Sequence, residues 1–176
     1  ELGRYAVTMQ KSLSELVERD ALTGLINRRS GEKRLQQARK EKEERNIDFC
    51  VAIGDIDFFK KVNDTYGHEW GDMVLTQIAR VMKKHMVGKG IVARWGGEEF
   101  LFLFNNCMLE EAVALLDETL SEIRDIEIEI DETTKIRVTM TFGICQGSTD
   151  GLNLILKEAD EKLYSGKNNG RNRIVK

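Results

Sequence analysis

The chain has 176 residues, which is enough for one domain with a sizeable core and a short appendage. Hydrophobic residues make up 41% and charged residues 32%, a composition typical of a folded domain that excludes a disordered chain. The net charge is −3, from 27 basic and 30 acidic residues that are interspersed, so a general nucleic-acid binder, which needs a basic face, is excluded as well.

The sequence gives no sign of a membrane segment or a secretion signal. No apolar run approaches the roughly 18 residues of a membrane span, and no signal-peptide pattern is present. The three cysteines show no CxxC or Cys/His ligand spacing and are predicted to be small core residues. We therefore expect this part of the protein to lie in the cytoplasm without membrane contact, even if the full-length protein is membrane-anchored.

The first predicted element is a helix over residues 1–19. Its apolar residues follow the alternating four- and three-residue spacing of a heptad seam, at Leu2, Ala6, Met9, Leu13 and Leu16. Two interpretations remain open at this length: an amphipathic helix that lies on its own domain, or the end of a dimeric coiled-coil stalk below an upstream module. The predicted division is the helix at 1–19 and one domain at 20–176.

A turn at 20–28 and a mostly solvated helix at 29–46 come next. The apolar run at 47–56 is rich in branched residues and predicts a buried central strand. Asp55 and Asp57 lie at the C-terminal end of that strand.

Helical spacing of apolar residues predicts helices at 69–86 and 109–123. Between them, two apolar runs flank Gly96-Gly97 and predict a hairpin, in which the glycines supply the positive φ of a tight turn. In the last third of the chain, the pattern predicts strands at 126–130 and 137–145, a helix at 152–165, a basic loop at 166–172 and a short strand at 174–175. Helices and strands thus interleave without a strict βαβ repeat, which favours an α+β fold with a largely antiparallel sheet.

Two pairs of acidic residues are candidates for chemistry, Asp55 with Asp57 and Glu98 with Glu99. A carboxylate at the edge of an apolar strand is costly to desolvate unless something compensates it, and a hard cation with oxygen ligands does so. If the two strands are neighbours, Asp55 and Glu98 converge and can share one or two Mg²⁺ ions that bridge phosphate oxygens. The alternative is that these acids are solvated turn residues.

Four segments, in order along the chain, resemble the GGDEF family of diguanylate cyclases. Residues 55–72 and Arg94-Trp-Gly-Gly-Glu-Glu-Phe100 are similar to its two signature segments, with the GGEEF variant of the name-giving motif. Residues 20–28 resemble the DxLTxLxNR turn, and residues 159–172 resemble the closing ADxxLYxAKxxGRN segment. Together the four segments cover about residues 20–176.

The resemblance implies a fold and a reaction. The fold is a central, mostly antiparallel sheet flanked by helices, with a ferredoxin-like core related to class III nucleotidyl cyclases and polymerase palm domains. The reaction condenses two GTP molecules into cyclic di-GMP and two pyrophosphates, with two Mg²⁺ (or Mn²⁺) ions per active site. Each domain holds one GTP, so a homodimer is implied, with an upstream sensory domain and without a nucleic-acid partner.

The resemblance also implies roles for the acids. Asp55, the backbone carbonyl of Ile56 and Glu98 would hold the metals, with Glu99 as a further ligand. Glu98 would also assist deprotonation of the ribose 3′-hydroxyl. Strand alternation alone would make Asp57 a ligand, but the family does not assign it that role, so we expect a structural one.

Substrate contacts are implied in the same way. Asp72 would accept the adjacent N–H groups of guanine, which adenine lacks, while Asn63 contacts another part of the base edge and His68 is a substrate-side histidine. For the phosphates, Lys60 would neutralise developing charge and the backbone N–H groups at Phe58 and Phe59 would cradle them. Lys167 and Arg171 match positions that grip the β- and γ-phosphates.

One departure from the family pattern stands out. Many members carry an RxxD product-binding site that ends five residues before the Gly-Gly, and Val87 and Gly90 occupy those two positions here. Arg94 is expected to form an ion pair whose partner the sequence does not identify. Two other functions remain as alternatives: a catalytically silent domain that binds GTP as a regulatory ligand, and an adenylyl-type cyclase or polymerase palm.

Overall fold

A computed structural model describes the backbone of residues 1–176 and the side chains of all but residues 11, 12 and 14–16. In it the chain forms six helices and seven strands. In chain order these are α1 (Leu2–Glu18), α2 (Arg28–Arg45), β1 (Phe49–Ile56), α3 (Phe59–Tyr66), α4 (His68–Met86), β2 (Gly90–Arg94), β3 (Glu99–Asn105), α5 (Leu109–Arg124), β4 (Ile128–Glu129), β5 (Lys135–Ile136), β6 (Met140–Gln146), α6 (Leu152–Asn168) and β7 (Arg173–Val175).

Five strands form the main sheet, in the order β2-β3-β1-β6-β7. Neighbouring strands are antiparallel except for the parallel pair of β6 and β7. β1 is the central strand, and all eight of its residues are buried, as its apolar run predicts. The α+β fold with a mostly antiparallel sheet is therefore confirmed.

The sheet has a separate hydrophobic core on each face. Because side chains alternate along a strand, Cys50 and Ala52 join the core beneath α4 and α5, whereas Val51 and Ile53 join the core beneath α2 and α6. Burying each large apolar side chain in these cores contributes about 1.5–3 kcal/mol. The same alternation directs Asp55 toward the α2 and α6 face.

Helix α6 lies unusually close to the sheet because β6 carries a glycine at the contact. A Cβ on Gly143 would lie 2.1 Å from the Ala159 carbonyl oxygen and 2.4 Å from the Leu163 backbone nitrogen. This close approach fixes the path of α6, whose last turn carries Lys167 to the end of β1.

The structure corrects the predicted strands of the last third. The strand expected at 137–145 begins only at Met140, and the strand expected at 126–130 is reduced to two residues, which pair with β5 in a small separate hairpin. Apolar residues alternate in both predicted strands, so the sequence pattern looks the same in both sheets. The pattern therefore cannot show where the chain leaves the small hairpin and enters the main sheet. Helix α3 was not predicted, because eight residues are too few to show a clear helical period.

The heptad-seam residues of α1 whose side chains the structure describes do not pack on the domain. Leu2 is 89% exposed, Met9 69% and Leu13 57%, and Ala6 is exposed as well. The side chain of Leu16 lies outside the described residues. The described part of the seam is therefore not covered by its own domain, which disfavours a helix that lies on the domain. The dimeric stalk stays a prediction. Within the described part of the chain, no helix combines the length and apolarity needed to cross a membrane.

Candidate active site

The two acidic pairs lie on neighbouring strands of the sheet. β1 and β3 are antiparallel, and their register sets Asp55 directly opposite Glu99. One step further, the Ile56 N–H donates to the Glu98 carbonyl oxygen at 3.2 Å. Side chains of directly opposed residues have Cβ atoms about 4.5–5.5 Å apart, so Asp55 has an acidic neighbour across the strands.

The hairpin between β2 and β3 has a different turn from the one predicted. Among the described residues, positive-φ glycines occur at 24, 67, 88, 90 and 170, so the prediction that Gly96 and Gly97 supply positive φ is wrong. The loop takes four residues, and the N–H groups of Trp95 and Gly96 donate to the Glu99 carbonyl at 2.8 and 3.2 Å. A turn of this length closes without left-handed residues.

Gly96 instead leaves space beside Glu99. A Cβ on Gly96 would lie 3.2 Å from Glu99 Oε2, whereas one on Gly97 would meet no atom within 4 Å. A side chain at position 96 would therefore crowd the Glu99 carboxylate. Glycine is the usual residue where a backbone comes this close to another group.

The site carries surplus negative charge. Burial, together with the carboxylates of Asp55 and Asp160, raises the pKa of Glu99, and the Lys167 ammonium offsets this only in part. Lys167 Nζ lies 2.5 Å from Asp55 Oδ2, so a protein cation sits against this carboxylate. Sequence reasoning assigned no role to Asp160, although it lies inside the closing motif. A divalent cation would be stabilised in this field.

The residues present fit a magnesium site in which substrate phosphates and waters complete the ligands that the protein supplies. Within the described residues, no group of three or more His, Cys, Asp or Glu side chains is arranged to hold a metal by itself. Mg²⁺ does not require such a cage, because it usually keeps several waters and binds through one or two carboxylates plus substrate phosphates. The acids at the end of β1 and in the hairpin, with their surplus charge, match that pattern.

Asp57 has its carboxylate oxygens occupied by the protein itself. Oδ1 accepts from Thr141 Oγ1 at 2.6 Å, and Oδ2 accepts from Thr139 Oγ1 at 2.6 Å and from the Asn172 backbone N–H at 3.0 Å. These bonds tie the end of β1 to β6 and to the closing loop. They agree with the structural role that the sequence analysis expected for this residue.

Helix α3 presents its N-terminus beside the closing loop. Phe58, its N-cap, is left-handed with a φ of 56° and makes no side-chain capping bond. The first N–H groups of a helix have no intrahelical acceptor, so those from Phe59 onward are available to an anion. The Arg171 guanidinium lies over the Phe58 ring at 4.7 Å. Lys60, in the first turn, is exposed.

The two residues expected to read the base are brought together by the junction of α3 and α4. Asn63 lies on α3, and its Oδ1 is a buried atom without a hydrogen-bond partner among the described side chains. It lies against Gly71 of α4, the residue before Asp72. Asp72 and His68 are both exposed on the first turns of α4.

Two arginines brace the hairpin. Arg94 Nη1 lies 3.2 Å from both carboxylate oxygens of Asp20, and its Nε and Nη2 donate to the Gly97 carbonyl at 3.3 and 3.0 Å. Burial opposes the ionised form of Asp20, but hydrogen bonds from Thr23 and the charge of Arg94 outweigh it and lower the Asp20 pKa. Arg28 donates to the Trp95 carbonyl at 3.3 Å and lies over its ring at 4.5 Å.

The Asp20 partner answers the question that the sequence left open for Arg94. The two residues are 74 positions apart, so no local pattern joins them. The bracing ties the 20–28 turn to the glycine loop, and therefore fixes where Glu98 and Glu99 lie.

Comparisons with known proteins identify the family. The family model for the diguanylate cyclase GGDEF domain matches residues 17–173. Diguanylate cyclase A of Treponema denticola is 37% identical over 134 residues, which cover 75% of this chain and 36% of that protein. Diguanylate cyclase DgcM of Escherichia coli K12 is 32% identical over 176 residues, which cover 97% of this chain and 42% of that protein. The chain thus spans about two fifths of the length of these relatives.

Solved structures agree with the family match. The coiled coil and GGDEF domain of DgcB from Caulobacter crescentus, in complex with c-di-GMP, superposes with a TM-score of 0.92 at 28% identity, over 98% of this chain and 92% of that one. Diguanylate cyclase SiaD from Pseudomonas aeruginosa gives a TM-score of 0.89 at 34% identity, over 98% of this chain and 68% of that one. With its acids on neighbouring strands and its glycine hairpin, this chain belongs to the GGDEF family of diguanylate cyclase domains.

Proposed function

We propose that this chain is an active diguanylate cyclase domain, which joins two GTP molecules into cyclic di-GMP and releases two pyrophosphates. The observation that supports it best is the pairing of β1 with β3, which brings Asp55 and the Glu98–Glu99 pair to one end of the sheet. The raised pKa of Glu99 adds support, because burial and then the neighbouring carboxylates of Asp55 and Asp160 disfavour its charged form, and a bound cation would favour it.

The acids have two tasks in this proposal. Asp55, the Ile56 carbonyl, Glu98 and Glu99 would hold two Mg²⁺ or Mn²⁺ ions, and such ions would supply charge neutralisation at the phosphates and activation of the attacking hydroxyl. Glu98 takes the proton of the ribose 3′-hydroxyl. The freed oxygen attacks the α-phosphate of the facing GTP, and the bond to pyrophosphate breaks as the new phosphodiester forms.

The basic residues and the α3 N-terminus hold the leaving group. Backbone N–H groups at Phe58 and Phe59 donate to the phosphates, and Lys60 neutralises charge that develops on them. In the free protein Arg171 already lies close to the α3 N-terminus, because its guanidinium lies over the Phe58 ring. Lys167 neutralises Asp55 in the free protein and turns to the β- and γ-phosphates when the nucleotide is bound.

Asp72 and Asn63 select guanine, with His68 on the substrate side. A carboxylate accepts both N1–H and the exocyclic amino group of guanine, whereas adenine offers an acceptor at N1 and repels it. Asp72 is exposed in the free protein, but a bound base would cover its carboxylate. Leaving the covered carboxylate unpaired would cost about 1–3 kcal/mol, which corresponds to about 5- to 150-fold discrimination.

A productive complex needs two domains facing each other, because one domain binds one GTP. The exposed seam of α1 offers a way to form the pair, since Leu2, Met9 and Leu13 would be buried in a parallel helix dimer. The solved DgcB structure contains a coiled coil with its GGDEF domain, which supports the same arrangement here. An upstream sensory domain would then act through this stalk.

Product analysis tests the proposal. The domain, alone and with a dimerising coiled coil fused in register before residue 1, is incubated with Mg²⁺ and either GTP or ATP, and the products are separated chromatographically. We expect cyclic di-GMP and pyrophosphate from GTP only, with the greater rate in the fused dimer. GTP binding without product in the fused dimer would identify a silent regulatory domain, and product from ATP would identify another type of cyclase.

We predict no feedback inhibition through the position of the family's RxxD site. Val87 and Gly90 supply neither the guanidinium nor the carboxylate. Gly90 cannot simply be replaced either, because its Cβ would lie 1.8 Å from the Leu103 carbonyl oxygen. Initial rates measured against added cyclic di-GMP should show competition with GTP at most. Tight, noncompetitive inhibition would contradict this prediction.

A further inference from the structure

Gly71 is a buried glycine in the first turns of α4, where the helix crosses α3. A Cβ at this position would lie 1.8 Å from Asn63 Oδ1, 3.0 Å from Asn63 Cγ and 3.3 Å from Phe59 Cζ. Contacting atoms normally lie about 3.5–4.0 Å apart, so the Asn63 carboxamide occupies the space that a side chain at 71 would need.

The backbone does not require glycine here. Among the described residues Gly71 is not one of those with positive φ, and it lies inside a helix, where Ala is more favourable than Gly by about 1 kcal/mol. The close approach of Asn63 is therefore the physical reason for glycine at this position.

The carboxamide that occupies this space is itself unusual. Asn63 Oδ1 is buried and has no hydrogen-bond partner among the described side chains. An unpaired buried acceptor is unfavourable in the ligand-free protein. It is typical of a group that gains its hydrogen-bond partner when a ligand binds. The next residue along α4 is Asp72, so this acceptor lies beside the residue proposed to read guanine.

We propose that Gly71 is a positioning residue for base recognition: its missing side chain sets where the Asn63 carboxamide lies relative to Asp72. Gly71 touches no substrate atom and acts through Asn63. A side chain at 71 displaces the carboxamide and weakens guanine binding, without touching the acids at the end of β1. The inference rests on the proposed function, since it assumes that GTP is the ligand.

The test is a double-mutant cycle of Gly71→Ala and Asn63→Ala. Binding of a non-hydrolysable GTP analogue is measured by calorimetry, and kcat and KM for GTP are measured with the dimerised domain. We expect each single variant to weaken binding by about tenfold, seen as a raised KM with kcat nearly unchanged. The double variant should bind no more weakly than Asn63→Ala alone, because the added methyl group has no carboxamide left to displace.

Gly3→Ala is the matched control, since Gly3 also lies in a helix and an added Cβ there meets no atom within 4 Å. It should bind the analogue as the unmodified chain does. If Gly71→Ala alone is unstable, its Tm should be restored by Asn63→Ala, which gives the new methyl group room.

Three outcomes would overturn the inference: unchanged binding by Gly71→Ala, effects that add in the double variant, or an unstable Gly71→Ala that Asn63→Ala does not rescue. These leave the proposed function intact. Failure of the unmodified, dimerised domain to bind the analogue would overturn the proposed function, and this inference with it.

Discussion

Replacing Glu98 with Gln should reduce cyclic di-GMP formation by at least about 10³-fold while the fold persists. The substitution removes the charge that is proposed to hold a metal ion and to take the 3′-hydroxyl proton. It leaves in place the backbone carbonyl that accepts from the Ile56 N–H, so the strand pairing is kept. Initial rates by chromatography, with Tm and near-ultraviolet circular dichroism on the same samples, measure both parts of the prediction.

Glu44→Gln is a suitable control for the loss of one acidic charge. Glu44 lies near the end of α2, 59% exposed, with only a 4.0 Å contact to Lys40. Exposed pairs of this kind contribute little, so activity and Tm should both stay close to those of the unmodified domain. Unchanged product formation by Glu98→Gln would refute the role assigned to that residue.

Replacement by Asn should affect different properties at the two aspartates at the end of β1: stability at Asp57 and turnover at Asp55. Asp57→Asn should lower the free energy of unfolding by about 3 kcal/mol, because Thr139, Thr141 and the Asn172 N–H donate to its two carboxylate oxygens, and one of these oxygens becomes an amide nitrogen that cannot accept. Urea unfolding followed by circular dichroism measures the change.

Asp55→Asn should leave the free energy of unfolding within about 1 kcal/mol of the unmodified value and abolish turnover, because replacing a buried carboxylate by a neutral group of the same shape also removes its desolvation cost. Among the described residues its side-chain partner is Lys167, whose long side chain is 29% exposed and can turn to solvent. The pKa of Glu99 is raised first by burial and then by the Asp55 charge, so this substitution removes the second of these causes. Equal loss of stability in the two variants, or a stable but inactive Asp57→Asn, would show that the roles are wrongly divided.

The sequence alone predicted the parts of the fold that local patterns determine. The apolar run at 47–56 predicted the central strand, and the two runs around Gly96-Gly97 predicted the hairpin. Both are confirmed, because burial on both faces and a tight connection leave a signal within a few residues. The four family-like segments then predicted which residues form the candidate site, and their roles stay predictions.

Features set by contacts between distant residues were missed. Asp20 as the partner of Arg94 and Asp160 as a neighbour of Glu99 depend on how the chain returns to the sheet. The turn at Gly96 was misjudged for a related reason, since glycine is needed for space near Glu99 and not for its φ. Sequence spacing carries no information on such approaches.

The most direct test of the account is to locate the metal ions. Crystals of the domain grown with a non-reactive GTP analogue and Mn²⁺ allow the ions to be found by anomalous scattering at the manganese edge. We predict peaks within about 2–2.5 Å of the Asp55 and Glu98 carboxylate oxygens, beside the analogue's phosphates. Ordered analogue with manganese bound elsewhere, or with these two side chains turned away from it, would contradict the account.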